Sequence, residues 1–187
     1  MKILTWPNKI LTSKADIVEK IDEETNKIVD EMLNLMLSNN GLGLSAPQIG
    51  ISKRIIVAKV DGDQLVVLIN PEIETVDEIG LHEEEGCLSL PGVQIKVERA
   101  NAIDVKGLDR TGAELHYHLR GLDAIIIQHE VDHLNGITLL QKADFIQSQK
   151  IKKQLKRWTR YVKRQEKKTV HKPSKPSRAR RSSRKRS

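Results

Sequence analysis

Apolar residues near the start of the chain recur at the spacing of a helix. Between Asp22 and Ser38 these residues are Ile28, Met32, Leu35 and Met36. Steps of three or four positions place side chains on one face of an α-helix. Asp22 is suited to an N-cap, and the NNG at residues 39–41 supplies a stop signal. The pattern predicts an amphipathic helix over this segment.

A different pattern, of short runs rich in β-branched residues, fills the middle of the chain between Arg54 and Leu119. The runs are RIIVAKV, QLVVLIN, AIDVKGL and AELHYHL, and they are interrupted by DGD, NP, PG and DRTG. Val, Ile and aromatic residues favour strands, whereas Gly, Pro, Asn and Asp favour turns. This arrangement predicts several antiparallel strands joined by tight turns.

Two further helices are predicted after the strands. The segment GLDAIIIQHEVDHLNG, residues 121–136, has helical length, a helix-compatible apolar face and glycine at both ends, which favours a buried central helix. A last helical pattern starts near Asp144. Its apolar positions, which lie among many cations, are Phe145, Ile151, Leu155, Trp158 and Val162. The final KPSKPSRARRSSRKRS has the composition of a disordered tail.

The length and composition are those of one globular domain with an appendage. A chain of 187 residues that is 38% apolar is long enough for one core and short for two. We predict an α+β fold with antiparallel β-sheets packed around the helix at 121–136, an N-terminal helix, and a basic C-terminal helix and tail. Because no run reaches the roughly 18 apolar residues of a membrane span, and the start lacks a secretory pattern, we expect a cytoplasmic protein.

Charge divides the chain into two parts. Residues 150–187 contain 18 Lys and Arg against one acid, or +17, and the first 149 residues keep 14 basic and 24 acidic residues, or −10. We therefore predict a main domain at residues 1–149 and a basic extension at 150–187. The extension suits a solvated end or contact with RNA, because Phe145, Trp158 and Tyr161 lie among the cations and can pack or stack on bases.

The central helix carries two histidines at a spacing suited to a metal ion. His129 and His133 are four residues apart, so that both imidazoles project from one helix face, and Glu130 completes an H-E-x-x-H pattern. The alternative is a helix with two ordinary histidines. A third ligand distinguishes the two interpretations.

The known proteases with this pattern take their third ligand downstream, and this chain does not supply it. Thermolysin-like enzymes use a Glu about 20 or more residues on, but the only acids after His133 are Asp144 and Glu166. The metzincin pattern is matched at Gly136 and then broken, because Leu139 stands where the third histidine belongs. Both observations argue against a protease.

An upstream thiol offers the missing ligand. Cys87, in EGCLSLP, is the only cysteine of the chain and so has no internal disulfide partner, and the preceding Gly86 lets the backbone pass close to an ion. Two imidazoles and one thiolate leave a fourth position open for water. We predict a catalytic metal site formed by Cys87, His129 and His133.

Three motifs together resemble a known family. EGCLS at 85–89, QHEVDH at 128–133 and GLGLSAPQ at 41–48 look like the signature motifs of peptide deformylases, and the resemblance extends from about Met1 to Lys150. It implies that the main domain is a metal-dependent hydrolase, which removes the formyl group from the N-terminal formylmethionine of nascent bacterial or organellar polypeptides.

The resemblance also implies a role for each motif. Glu130 would take a proton from metal-activated water and deliver it to the departing amine. The side-chain amide of Gln48 and the backbone N–H of Leu88 would stabilise the developing oxyanion. Glu85 and Arg99 would support the site as an ion pair. The resemblance implies Fe²⁺ as the metal ion. Zn²⁺, Ni²⁺ or Co²⁺ are alternatives, because the same ligands also accept them.

Apolar residues near the histidines are candidates for the formylmethionine pocket. The predicted substrate-binding residues are Leu42, Gly43, Gly86, Leu122, Ile125 and Ile126, and plain core packing is the alternative for the apolar ones. Two departures from the family pattern are Ser45, where Ala is usual, and Gln94, where some members carry Arg. We expect the first to matter little and the second to alter recognition of the peptide beyond its methionine.

The resemblance points to nascent polypeptides as substrates and to the ribosome as a partner of the basic extension. We expect the protein to be a monomer.

Two rival functions remain. One is an H-E-x-x-H endopeptidase, and the other is an RNA-binding protein with a structural metal. Neither explains why EGCLS and GLGLSAPQ accompany the two histidines.

Overall fold

The computed structural model describes residues 1–170, apart from the side chains of residues 81–83, 163 and 165–170. The fold is α+β, as the sequence predicts. The predicted disordered tail at 172–187 lies outside the described residues. Among the described helices, none combines the length and hydropathy needed to cross a membrane.

Within residues 1–170, seven strands form two antiparallel sheets. The strands are β1 (Gly43–Ser45), β2 (Ile55–Val60), β3 (Gln64–Thr75), β4 (Ile79–Gly86), β5 (Gln94–Ala100), β6 (Ala102–Leu108) and β7 (Glu114–Arg120). The larger sheet has the order β1-β2-β3-β6-β7, and β4 and β5 form a separate two-stranded sheet. The four predicted runs correspond to β2, β3, β6 and β7. The sequence analysis missed β1, β4 and β5.

Strand β3 continues through a dipeptide that the sequence indicated as a break. The NP pair, Asn70 and Pro71, falls inside β3, where the pairing with β6 shifts register between Ile69 and Glu72. A bulge suits proline because proline has no N–H to offer the ladder. Asn70 adopts a positive φ of 53°, and its side chain bonds to both the N–H and the C=O of Val18 at 2.9 Å.

Two helices cover opposite faces of the larger sheet. They are α1 (Glu23–Ser38), with Asp22 as its N-cap, and α2 (Gly121–Leu134). Strand β2 is buried on both faces, which explains its continuous apolar run. Its Ile56 and Ala58 pack in the cluster of α2, whereas Ile55 and Val57 pack in the cluster of α1. The predicted N-terminal and central helices are confirmed.

Two more helices follow, α3 (Leu139–Lys142) and α4 (Phe145–Val170). Ile151 and Leu155 of α4 are buried in one cluster with Ile95 and Val97 of β5. Residue 150, where we divided the chain by charge, therefore lies inside a helix that packs on the small sheet.

Candidate active site

Two elements, β4 and α2, bring the predicted metal ligands together. Cys87 directly follows β4, and His129 and His133 lie one turn apart on α2. The ligand atoms of the three residues all lie within 4.8 Å of one another. Sγ of Cys87 is 3.2 Å from Nε2 of His133, and the two imidazole rings are 5.0 Å apart and nearly perpendicular.

This donor set fits a mononuclear metal ion. Bonds of about 2.0–2.3 Å from sulfur and nitrogen to one tetrahedral ion require ligand atoms that are a few ångströms apart, as here. Burial raises the pKa of Cys87, but the two imidazoles outweigh it and hold the pKa at about 5. Burial lowers the pKa of His129, but Cys87 and Glu85 raise it to about 10. These pKa values correspond to a thiolate at Cys87 and an imidazolium at His129. Binding of a divalent cation would displace the imidazolium proton.

Glu85 orients the first histidine. Its Oε2 lies 2.7 Å from Nδ1 of His129, which directs Nε2 of that ring towards the site. Arg99 donates two bonds to the same carboxylate, at 2.7 and 2.9 Å. Burial opposes ionisation of Glu85, but these partners lower its pKa to about 2. The predicted ion pair of Glu85 and Arg99 thus also contacts a predicted metal ligand, His129.

The residues that flank the histidines in sequence bond elsewhere. The side-chain amide of Gln128 pairs with the backbone N–H and C=O of Ala100, at 3.0 and 2.9 Å. Asp132 accepts a bond from Arg99 and lies 3.1 Å from Lys142. The residue that contacts the imidazole of His129 is instead Glu85, which is distant in sequence.

The amide of Gln48 is held in a single orientation. Its Oε1 accepts bonds from the backbone N–H and the hydroxyl of Ser45, at 2.8 and 2.9 Å. The Nε2 group therefore points the other way, 3.6 Å from Sγ of Cys87. The Ser45 hydroxyl, which we expected to matter little, is one of the two groups that fix this amide.

Glu130 is buried beside the metal ligands, and its close neighbour is a glycine. A Cβ added at Gly43 would lie only 2.5 Å from Oε1 of Glu130. Gly43, which we predicted as a substrate-binding residue, thus also makes room for this carboxylate. Burial raises the pKa of Glu130 above its ordinary value.

A cavity of about 600 Å³ opens onto this cluster. All six predicted substrate-binding residues line it, together with Gln48, Leu88, Cys87, His129 and Glu130. Leu42 and Leu122 are 48% and 61% exposed, so their apolar surfaces are available to a ligand. The sequence analysis missed other residues that line the cavity, among them Asn40, Pro91 and Val93. The PG turn after Cys87 was noted only as a strand break.

Taken together, the buried carboxylate, the three-ligand cluster and the apolar cavity define a mononuclear metallohydrolase. The family model for polypeptide deformylase matches residues 1–149. Peptide deformylase of Thermodesulfovibrio yellowstonii is 41% identical over 160 residues, covering 83% of this chain and 96% of the relative. That of Carboxydothermus hydrogenoformans is 47% identical over 146 residues, covering 78% and 94%.

Solved structures agree. A peptide deformylase from Legionella pneumophila superposes with a TM-score of 0.81 at 34% identity, covering 92% of this chain and 98% of that one. The Ehrlichia chaffeensis enzyme in complex with actinonin gives 0.80 at 35% identity, covering 84% and 96%. The chain belongs to the polypeptide deformylase family, and it is a deformylase.

Proposed function

We propose that this chain hydrolyses the formamide at the N-terminal formylmethionine of nascent polypeptides, with the scissile carbonyl beside Cys87, Gln48 and Glu130. The single observation that carries this proposal is the joint position of these groups and His129 on one cavity with apolar walls, next to the cluster that His129 and Cys87 form with His133. Family membership supports the same reaction.

Cys87, His129 and His133 are the proposed ligands of one divalent ion. When bound, such an ion would polarise the formyl carbonyl and lower the pKa of a coordinated water. We propose Fe²⁺ as the native ion. Zn²⁺, Ni²⁺ and Co²⁺ remain alternatives because one thiolate and two imidazoles accept all of them.

Glu130 is the proposed proton-transferring group. Among the described residues, its buried Oε2 has no hydrogen-bond partner, so it is available to a water molecule at the site. Burial raises the pKa of this carboxyl, which suits a group that first accepts a proton and then releases it to the departing amine.

Gln48 and Leu88 are the proposed donors to the carbonyl oxygen as it gains negative charge. The Ser45 bonds hold Nε2 of Gln48 on the Cys87 side of its amide, so little reorganisation is needed during the reaction. The backbone N–H of Leu88 has no bond within the described part of the chain, which leaves it free to serve as the second donor.

The apolar walls suit the methionine side chain. Leu42, Leu122, Ile125 and Ile126 line the cavity, and burial of a Met side chain against them is worth about 1.5–3 kcal/mol. Glu85 and Arg99 are proposed to act indirectly, by holding His129. Because a related enzyme was crystallised with actinonin, we also propose that actinonin inhibits this chain.

The basic extension is proposed to contact ribosomal RNA, which would keep the enzyme near emerging chains in the cytoplasm. Residues 150–187 carry +17, and binding through phosphates weakens steeply as salt rises. Full-length protein and a protein ending after Leu155 would be sedimented with ribosomes at low and high salt. Equal sedimentation of both would contradict the contact. We propose that the enzyme itself is a monomer.

The decisive experiment is formate release from formyl-Met-Ala-Ser by protein purified without oxygen, with its metal content measured. We expect formate in amounts that follow the bound metal, and inhibition by actinonin. An endopeptidase would instead cleave an unformylated internal peptide bond. Cleavage of that kind without formate release would overturn the proposal.

A further inference from the structure

A second groove, of about 1000 Å³, lies beside the active-site cavity. One wall is the edge of β5, and the other is formed by α3 and the first turns of α4. Gln154 of α4 donates to the C=O of Gly92 at 2.6 Å, which ties the helix to the loop before β5. Glu84 and Gln94 line both the groove and the active-site cavity, so the two are continuous.

The pairing of β5 shows which of its backbone groups point away from β4. In an antiparallel pair, successive residues direct their N–H and C=O alternately towards the partner strand and away from it. Asn101 donates to Glu78, on the β4 side, whereas both groups of Ala100 bond to Gln128. Ala100 therefore faces away from β4, and by alternation so do Glu98, Lys96 and Gln94.

These groups form an open strand edge. Within the described part of the chain, no hydrogen bond reaches the backbone of Gln94, Lys96 or Glu98 on the side away from β4. The same residues line the groove. An unpaired edge is a template to which an extended peptide can add as another strand, because the edge strand and the peptide both have unpaired N–H and C=O groups.

We propose that the edge of β5 from Gln94 to Glu98 binds a downstream stretch of the same formylated polypeptide, as an added β-strand. This proposal rests on the proposed function, since the substrate must first present its N-terminus at the metal site. The carboxyl-terminal continuation of the peptide then leaves the cavity past Gln94 and Glu84 and enters the groove.

The chemistry of the groove fits a partner whose sequence varies. Nascent chains share their first residue and differ afterwards, so an extended site must read the backbone rather than side chains. Main-chain pairing does so. Charges on the groove are also mixed, since Lys96, Lys142 and Lys150 are offset by Glu84, Glu98 and Asp144, and no one sign of charge is selected.

The edge has a definite length. Five residues at about 3.3 Å each give about 13 Å between the first and last α-carbons, enough for about five residues of the substrate. Beyond Glu98, the amide of Gln128 already occupies Ala100. The added strand therefore ends there.

The first test compares peptide lengths. Formyl-Met-Ala-Ser would be compared with the same peptide extended by about seven small residues, enough to reach along the edge. We expect about tenfold higher kcat/KM for the longer peptide, because several main-chain hydrogen bonds each contribute a small factor. Equal kcat/KM values for the two peptides in the wild type would overturn the proposal. If formyl-Met-Ala-Ser itself were not deformylated, the proposed function on which this inference rests would be overturned.

The second test places the effect in the groove. Lys150→Trp fills the groove from α4, and Lys153→Trp makes the same exchange three residues on, at an exposed position that does not line the groove. Only Lys150→Trp should remove the advantage of the longer peptide, and both variants should process formyl-Met-Ala-Ser normally. Retention of the full advantage in Lys150→Trp would contradict the proposal.

The third test examines whether the bound peptide pairs with β5 as a β-strand. Single N-methyl groups would be moved along the extended part of the longer peptide. Because a β-strand presents alternate N–H groups to its neighbour, we expect kcat/KM to fall at every second position. An even response along the peptide would overturn the strand pairing.

Discussion

Glu130 packs against Gly43 so closely that a Cβ on Gly43 would lie 2.5 Å from Oε1 of the carboxylate. No such contact is tolerated without movement, and the atoms that must move belong to the proposed proton-transferring group. We expect Gly43→Ala to lower kcat/KM for formyl-Met-Ala-Ser about 10²-fold, because a small misplacement at a reacting centre has effects of this size. Metal content should be unchanged, since the three ligands are not displaced.

A double-mutant cycle separates this cause from general damage. Glu130→Asp withdraws the carboxylate by one carbon, so Gly43→Ala should reduce activity much less in that background than in the wild type. If the glycine substitution had the same effect in both backgrounds, the contact with Glu130 would not be its cause. Activity and bound metal would be measured on all four proteins.

Replacing Glu130 itself tests the assigned proton transfer. Glu130→Gln keeps the shape of the side chain and removes its basicity, and a reduction of kcat by about 10²–10⁴ is expected for such a loss. Since Glu130 is not one of the clustered ligands, the variant should retain its metal. Formate release near the wild-type rate would contradict the assignment.

The site should lose its metal when the thiolate is removed. We expect Cys87→Ala to bind far less metal than the wild type after equal exposure to a chelator, because only His129 and His133 of the cluster remain. Metal analysis after desalting provides the measurement. Full retention of metal would instead favour the ligand arrangement of an H-E-x-x-H endopeptidase.

Arg99 should matter for stability far more than an exposed arginine. Its side chain is 2% exposed and bonds to Glu85 and Asp132, so Arg99→Met leaves a buried carboxylate uncompensated. A loss of about 3–5 kcal/mol in the free energy of unfolding is expected.

Arg110→Met is the matched control for this change. Arg110 pairs with Asp30 at 3.0 Å, but its side chain is 44% exposed, and a loss of only about 0–1 kcal/mol is expected. Denaturant unfolding of the two variants and the wild type compares them directly. Similar losses in both variants would contradict the importance of the buried pair.

The start of α1 should contribute a pH-dependent term to stability. Asp22 accepts the backbone N–H of Thr25 at 3.1 Å, and chiefly this bond lowers the pKa of Asp22 below 3.8. A carboxyl with a lowered pKa stabilises the fold above its unfolded pKa, and this contribution is lost as the pH falls through the folded pKa. Asp22→Asn keeps a capping oxygen but does not titrate.

The difference in unfolding free energy between the wild type and Asp22→Asn should therefore be constant near neutral pH. It should shift against the wild type as the pH falls below about 4. Thermal unfolding in a series of buffers measures it. A difference independent of pH throughout the acid range would contradict the role of the charged cap.

The parts of the fold that follow simple periodicity were predictable. Met32 and Met36 mark one face of α1, and the β-branched runs mark the large sheet. Strand β4 was missed because its LHEEEG sequence has neither alternation nor β-propensity. Pairing with β5 and the bonds of Glu85 to Arg99 and His129 stabilise it instead. Such long-range contacts have no local signal.

The candidate site, like the fold, was predictable only in part. The spacing of His129 and His133 and the uniqueness of Cys87 marked the ligands. The proximity of Gly43 to Glu130, 87 residues further along the chain, depends on how β1 lies against α2. The bond from Ser45 to Gln48 is local, between residues three apart, but the sequence analysis did not identify it. Motif resemblance indicated these residues but not what each one touches.

The charged residues on the open edge of β5 also affect how copies of this protein meet. An unpaired strand edge is a route to aggregation, because two such edges can join. Lys96 and Glu98 are exposed there, and their hydrated side chains oppose close stacking of one molecule on another. The proposed site can thus admit one extended peptide while its charged side chains oppose the joining of two copies of the protein at the same edge.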